Sequence, residues 1–309
     1  MSTGTDPLAP LAELPGVPEA VAEVRKSVDR LYGHRVMRRR AGEVTSEAAL
    51  RGARASAALD GADWPLEEVR RRTDFGADAQ SRTVGAALRV SAEAGQLLSV
   101  WRHSPLQVLA RLHLLAAGDG ADSAGRPRQA GESAEALFPL ELAAVESLRA
   151  KDSDEGSGEE EAGRAPSDPP ADLPVAPGAE EVAARLDQLS QLLVARTDGP
   201  GGGAPALVVA AVVHGELLAL RPFASHNGVI ARAAQRIVLI AEGLDPKAIC
   251  PAEVGFAELG TDAYRRALNG YLAGTPDGLA AWIAHCGYAL RLGSRESTAV
   301  CEAMQRGMV

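Results

Sequence analysis

Residues 221–232 read RPFASHNGVIAR and lie between two strongly apolar stretches. The stretch before them, PALVVAAVVHGELLAL at 205–220, is almost wholly apolar, and VIARAAQRIVLIAEGLDP at 229–246 is largely apolar as well. A segment of helical length that is apolar on nearly every side is typical of a buried helix. The sequence therefore predicts two central helices that are joined by a short polar loop.

The end of this loop carries the residues that can bind a ligand. Asn227 and Gly228 precede the second helix, so its unpaired backbone N–H groups and positive dipole end face whatever lies over the loop. An anion, above all a phosphate, is the natural occupant, and Arg232 one turn later would add charge-assisted hydrogen bonds. The same residues also fit a plain capping loop, in which Asn227 caps the helix and Gly228 permits the turn.

Composition predicts a mainly α protein and excludes several functional classes. The chain has 309 residues, of which 46% are hydrophobic and 4% aromatic, and its Val and Ile residues mostly follow helical spacing. A formal net charge of -9 argues against a nucleic-acid partner. Three widely spaced cysteines without a CxxC pair indicate neither zinc nor disulfides. Without a membrane-length apolar run or a signal peptide, we expect no membrane partner and a cytoplasmic location.

Shifts in composition divide the chain into segments. Residues 1–17 are Pro-rich and predict a flexible arm, and residues 18–103 repeat helix-compatible blocks that predict an N-terminal helical region. Residues 104–295 form the core, and residues 296–309 are expected to be a C-terminal tail. Within the core, residues 150–173 are acidic and Pro-rich with almost no apolar positions, so we expect a disordered insertion there.

The stretch 221–232 resembles the signature of the Fic (Fido) family, HxFx(D/E)GNGRxxR, which lies in a loop between two central helices. The matching positions are Pro222, Phe223, Asn227, Gly228 and Arg232. The resemblance implies a Fic-type helical bundle with a small β-hairpin flap. It also implies the family's transfer of AMP from ATP to a protein hydroxyl, with ATP and Mg²⁺ as cofactors and a protein target or regulatory partner.

Weaker resemblances extend on both sides of the motif. His113 lies in an LxLH-like stretch, residues 125–128 (GRPR) fall where the family has its flap, and residues 262–268 (DAYRRAL) resemble a downstream element. From the residues alone, His113 and His214 are interpreted as buried structural histidines on apolar helix faces.

An N-terminal stretch resembles the family's inhibitory helix, whose pattern is (S/T)xxxE(G/N) and whose Glu pairs with the last Arg of the motif. SAALDG supplies Ser56, Asp60 and Gly61 at the corresponding positions. Asp60 is one methylene shorter than Glu, so the sequence leaves its reach to Arg232 in doubt. The alternative is an ordinary amphipathic helix that ends at Gly61.

Departures from the motif remove the chemistry that the resemblance would imply. Arg221 stands at the position of the catalytic His, and a guanidinium has no lone pair with which to accept a proton. Ser225 stands at the position of the Mg²⁺-binding acid and supplies no charge. His226 replaces the first Gly of the motif and Val229 its inner Arg. We therefore expect a degenerate member that binds a nucleotide or a partner.

Two alternatives stay open at this point. The first is an active transferase with altered phosphate-group chemistry, in which Arg221, His226 and Arg232 handle the anion. In it, His226 is a substitute base, Arg221 is a phosphate clamp, and removal of Asp60 raises activity. The second is a non-enzymatic helical regulatory domain whose likeness to the motif is accidental.

Overall fold

The protein is described here by a computed structural model, which covers residues 6–118, 122–144, 172–198 and 203–308. All regular elements in these ranges are helical, which confirms the mainly α prediction. They are α1 (Ala9–Ala12), α2 (Val17–Tyr32), α3 (Met37–Leu59), α4 (Leu66–Arg71), α5 (Ala79–Ala94), a 3₁₀ turn (Gly95–Leu97), α6 (Leu98–Trp101), α7 (Pro105–Ala117), α8 (Ala179–Asp198), α9 (Ala206–Leu220), α10 (Asn227–Ala241), α11 (Ala252–Leu259), α12 (Thr261–Ala273) and α13 (Pro276–Gln305).

Helices α9 and α10 form the centre of the bundle. Both are buried along almost their whole length, as their apolar sequences predict. They pack against each other, α13 and α12 cover α9, and α5 and α3 cover α10. The loop between α9 and α10 is thereby held by rigid elements on several sides.

The N-terminal and C-terminal boundaries differ from those expected. Within the predicted arm, residues 6–17 are structured, because Leu8 is buried and Asp6 accepts a hydrogen bond from the backbone N–H of Ala204. The predicted tail is helical up to Gln305, since Val300 and Met304 fall on the buried face of α13. Apolar residues at helical spacing thus extend the bundle in both directions.

Two other expectations concern segments near the motif. The described residues contain no strand, so the expected hairpin flap is replaced over residues 122–144 by an irregular segment. The expected insertion at 150–173 lies outside the described residues except for its last two positions. In the described parts of the chain, no helix is both long and apolar enough to span a membrane.

Gly255 permits a close contact between helices α11 and α13. A Cβ atom at Gly255 would lie 2.0 Å from the carbonyl oxygen of Ala289 and 2.5 Å from its Cα atom. The obstacle is backbone, so the two helices would have to separate.

We predict that Gly255→Ala lowers the free energy of unfolding by about 3 kcal/mol, at the upper end of overpacking costs. Chemical denaturation of the purified variant measures it. The matched control is Gly42→Ala in α3, where an added Cβ meets nothing within 4 Å. That change should stabilise the protein by about 0.5–1 kcal/mol through the unfolded state. Equal effects at the two positions would contradict the close crossing.

Candidate functional site

The loop after α9 is closed by the side chain of Asn227. Its Oδ1 accepts the backbone N–H of Phe223 at 2.9 Å, and its Nδ2 donates to the carbonyl of Phe223 at 2.8 Å. The loop begins and ends with a left-handed residue, Arg221 (φ 41°) and His226 (φ 62°). Such angles are uncommon outside glycine, and the Asn227 contacts help to hold the chain in them.

His113 of α7 packs against the loop between α9 and α10. Its ring stacks on the Phe223 ring with centroids 4.2 Å apart, and its Nδ1 accepts the backbone N–H of Gly125 at 2.9 Å. Burial, with a smaller contribution from His226, lowers the pKa of His113 to about 4. A neutral His113 therefore has the structural role that the sequence predicts, and it also ties the 122–144 segment to the loop.

Arg232, in the second turn of α10, is only 2% exposed and is held by the end of α3. Its Nε donates to Ser56 Oγ at 2.9 Å and its Nη2 to the Ser56 carbonyl at 3.0 Å. Nη2 also lies 2.7 Å from Asp60 Oδ1, so the shorter side chain does reach the arginine. Burial alone would lower the pKa of Arg232, but Asp60 and Tyr264 outweigh it and raise the pKa above its ordinary value.

Glycine at two positions makes this approach feasible. Gly61, with φ 99°, ends α3 directly after Asp60. A Cβ atom at Gly228 would lie only 2.4 Å from Asp60 Oδ1. The absence of a side chain at Gly228 therefore gives the carboxylate its place beside the start of α10.

A second carboxylate, Glu135 of the 122–144 segment, lies at the N-terminus of α10. Its Oε1 accepts the backbone N–H of Asn227 at 3.1 Å. The segment follows the loop through two backbone hydrogen bonds, from Arg128 N–H to the Pro222 carbonyl at 2.8 Å and from Glu135 N–H to the Ala224 carbonyl at 3.0 Å. Glu135 thus takes the position beside the helix dipole that an anionic ligand would occupy.

The surroundings of the Glu135 carboxyl raise its pKa. The residue as a whole remains exposed, but its carboxylate bonds to the backbone of the loop. This partial burial raises the pKa of Glu135 to about 7, and repulsion from Asp60 contributes to the rise. The backbone N–H groups of Asn227 and His226 and the charge of Arg232 oppose it. Its ordinary value is near 4.5.

Arg221, at the position of the family's catalytic base, is directed away from the α10 terminus. Its Nη2 donates to the carbonyl of Pro174 in the 172–178 segment. Beside it, Arg128 donates to the carbonyls of Arg221 and Leu220 at the end of α9. Burial and the charge of Arg128 lower the pKa of Arg221. The clamp role that the sequence allows for Arg221 is therefore not the geometry observed.

The remaining motif positions bond to each other. Ser225 Oγ lies 2.8 Å from His226 Nδ1. Burial lowers the pKa of His226, with Asp60 opposing the shift. The donor set does not fit Mg²⁺, because Ser225 brings no carboxylate and Asp60 is already bonded to Arg232. Among the described residues, no group of three or more His, Cys, Asp or Glu side chains is arranged to hold a metal.

A buried polar connection runs from the site into the core. Tyr264 of α12 interacts with Arg232, and its hydroxyl lies 2.6 Å from His214 Nε2. His214 is fully buried, which lowers its pKa well below its usual value, so it is neutral. The ring also packs edge-on against Phe256. His214 is accordingly a core residue, as its apolar helix face predicts.

The structure brings together most of the residues that the sequence singles out. Ser56, Asp60 and Arg232 meet at the start of α10, whereas Arg221 turns elsewhere. The sequence does not single out Glu135, which no spacing or motif distinguishes from other surface acids. It marks Arg128 only as part of the 125–128 stretch, without its role in holding the end of α9.

Comparison with known proteins identifies the fold class. No family model and no curated protein matches this chain. Solved structures do: a Fic family protein from Desulfovibrio desulfuricans G20 has a TM-score of 0.65 at 20% identity, over 93% of this chain and 75% of that one. These likenesses show that the chain has the Fic fold.

Two further structures agree. A Fic domain containing signaling protein from Bacteroides thetaiotaomicron VPI-5482 has a TM-score of 0.58 at 11% identity, over 92% of this chain and 97% of that one. A Fic-1 fragment from C. elegans has a TM-score of 0.56 at 14% identity, over 93% of this chain and 73% of that one. At such identities the comparison establishes architecture alone, so the function of this chain depends on its own residues.

We predict that Asp60→Ala destabilises the protein by about 1–3 kcal/mol, because it leaves the buried charge of Arg232 without its carboxylate. Thermal and chemical denaturation measure the effect. Asp63→Ala is the control. Asp63 follows Asp60 by three residues and pairs with Arg54, but 42% of the Asp63 side chain is exposed. That change should cost no more than about 0.5 kcal/mol. A similar loss in both variants would contradict a special role for the Arg232 pair.

We further predict that Glu135→Gln alters how stability depends on pH. A carboxyl whose pKa is raised from about 4.5 to about 7 stabilises the fold fully below pH 4.5, and this contribution is lost as the pH rises to 7. The uncharged variant lacks this loss, so it should be the more stable protein at pH 8, by at most about 1 kcal/mol because Glu135 is exposed. Unfolding curves from pH 4 to 8 measure it. Parallel curves for both proteins would contradict the assignment.

Proposed function

We propose that this chain is a Fic-fold protein that does not transfer AMP and that retains a phosphate-binding site held closed by its own carboxylates. The observation that carries the proposal is the direction of Arg221. The residue at the position of the base has no acceptor atom and is bonded to the carbonyl of Pro174, away from the start of α10. Loss of a positioned base typically removes about 10²- to 10⁴-fold of rate.

Phosphate-binding groups remain at the α10 terminus. They are the backbone N–H of Asn227, that of Gly228, and the guanidinium of Arg232, whose Nη1 has no hydrogen-bond partner within the described residues. Two of these groups are already in contact with carboxylates, Asn227 with Glu135 and Arg232 with Asp60. The phosphates of ATP would fit the site only after these carboxylates move. The protein would then act by binding a nucleotide or a regulatory partner.

The contact between Ser225 and His226 favours one other function, a transferase with altered phosphate-group chemistry. A neutral His226 has a ring nitrogen that accepts protons, which Arg221 lacks. In that case Asp60→Gly would release activity toward a phosphate-containing donor without restoring the motif.

ATP binding and AMP transfer together test the proposal. The wild type should add no AMP to itself or to other proteins, as measured by intact mass after incubation with ATP and Mg²⁺. By calorimetry, Asp60→Gly should bind ATP, and a further Arg232→Ala change should abolish that binding. Arg221→Ala in the same Asp60→Gly background is the matched control, because Arg221 faces Pro174, and it should leave ATP affinity unchanged.

Each arm has a result that would contradict the proposal. AMP addition by the wild type would show that a base is present after all. If Asp60→Gly is folded by circular dichroism and still does not bind ATP, the loop is not a phosphate site. Partner binding would then be the remaining function. Loss of ATP binding in the Arg221→Ala control would show that Arg221 acts as a phosphate clamp.

A further inference from the structure

Glu135 has a position that the motif does not account for. It belongs to the irregular 122–144 segment, and its carboxylate bonds to the N–H of Asn227, the first residue of a 15-residue helix. Backbone N–H groups and the positive end of a helix dipole favour a negative charge at this point. The protein thus satisfies its own anion-binding terminus with a side chain from another segment.

The same place holds a cation whose hydrogen-bonding capacity is not fully used. Arg232 is 98% buried, its Nη1 makes no hydrogen bond to any described residue, and this atom lies 3.0 Å from where a Cβ of Gly228 would be. A buried guanidinium N–H without a partner is costly. Since Nη1 is directed at the first turn of α10, a group with several oxygens, such as a phosphate, could satisfy it together with the Asn227 N–H.

Glu135 is the more weakly held of the two carboxylates at the site. Asp60 lies 2.7 Å from the Arg232 guanidinium, whereas the Glu135 carboxylate bonds to backbone N–H groups and repels Asp60. The charged side chains that act on the Glu135 carboxylate are Asp60 from α3 and Arg232 from α10, and the backbone of His226 also bonds to it. Two like charges therefore compete for one cation and one helix terminus.

Glu135 lies between two anchors of its segment, Arg128 and the buried Phe138, whose ring packs against Tyr264. Arg128 is buried and fixed by the carbonyls of Leu220 and Arg221, but residues 133, 135 and 136 are exposed. Beyond Arg128, the segment is joined to the loop by the hydrogen bond from Glu135 N–H to the Ala224 carbonyl and by the Glu135 carboxylate itself. Few contacts thus have to break for the carboxylate to withdraw.

We propose that Glu135 is a built-in competitor for the anion site at the start of α10, so that a phosphate-bearing ligand binds only when Glu135 leaves Asn227. This inference rests on the proposed phosphate-binding function of the loop. The Glu135 contact differs from the Asp60 contact in two ways. Asp60, at the end of α3, bonds to the side chain of Arg232, whereas Glu135, in the 122–144 segment, bonds to the backbone at the start of α10. Loss of the Glu135 charge removes one of the two carboxylates that a phosphate has to displace, so binding becomes easier even when Asp60 stays in place.

Binding of ATP by calorimetry tests the competition. Glu135→Gln should bind ATP about 5- to 150-fold more tightly than the wild type, the usual range of coupling between two binding events. Adenosine, which has no phosphate, should show no such gain. Glu132→Gln is the matched control, since Glu132 lies on the same segment but pairs with Arg126, and its ATP affinity should equal that of the wild type.

A second measurement needs no ligand. The amide proton of Asn227 should exchange with solvent faster in Glu135→Ala than in the wild type, because its hydrogen-bond acceptor is gone, and Glu132→Ala should leave its exchange unchanged. Nuclear magnetic resonance resolves this single amide. An unchanged exchange rate in Glu135→Ala would overturn the contact on which the inference rests.

The outcomes separate the inference from the proposed function. If Asp60→Gly binds ATP and the additional Glu135→Gln change brings no gain, Glu135 is not a competitor and the phosphate site stands. If the Asp60→Gly, Glu135→Gln double variant is folded and binds no ATP, the phosphate site itself fails and the inference fails with it. A gain in Glu135→Gln that is absent in Glu132→Gln supports both.

Discussion

The buried guanidinium of Arg232 is the charge on which the arrangement of the site depends. A buried cation is costly unless hydrogen bonds and an opposite charge surround it. The end of α3 supplies both, through the hydroxyl and carbonyl of Ser56 and the carboxylate of Asp60. Because Gly228 has no side chain, α3 can end directly against the first turn of α10. This contact joins the N-terminal helical region to the central pair of helices, in addition to the packing of α2 on α13 and of α3 on α11.

The second constraint is the helix terminus itself. Unpaired N–H groups at the start of α10 attract negative charge, and in this protein the negative charge comes from within the chain. Asp60 and Glu135 reach the terminus from opposite parts of the sequence, one from α3 and one from the 122–144 segment. Burial of the Glu135 carboxyl, with the repulsion between the two carboxylates as a smaller contribution, raises the pKa of Glu135.

The motif positions that depart from the Fic signature have found structural partners. Arg221 joins the end of α9 to the 172–178 segment, and Ser225 bonds to His226. The backbone of the loop does not depend on these residues, because the Asn227 side chain closes it against Phe223. A loop can therefore keep its shape while its chemistry changes, which is why the fold alone does not establish activity.

The sequence by itself determined the fold class, and it predicts the centre of the candidate site. Two apolar stretches of helical length predict α9 and α10, since helices that are apolar on all sides must be buried. The Asn227–Gly228 pair and Arg232 at helical spacing predict an anion-binding terminus. The ends of the bundle were harder to predict from the sequence. Isolated apolar residues such as Leu8 and Met304 do not indicate burial until their packing partners are known.

Only the tertiary structure decided what occupies that terminus. Whether Asp60 reaches Arg232 depends on how closely α3 approaches α10, a distance that side-chain length alone does not determine. Glu135 is 92 positions away from Asn227 in sequence, and nothing about its neighbours distinguishes it from other surface acids. Periodicity reports which face of a helix is buried, whereas contacts between distant segments follow from packing of the whole chain.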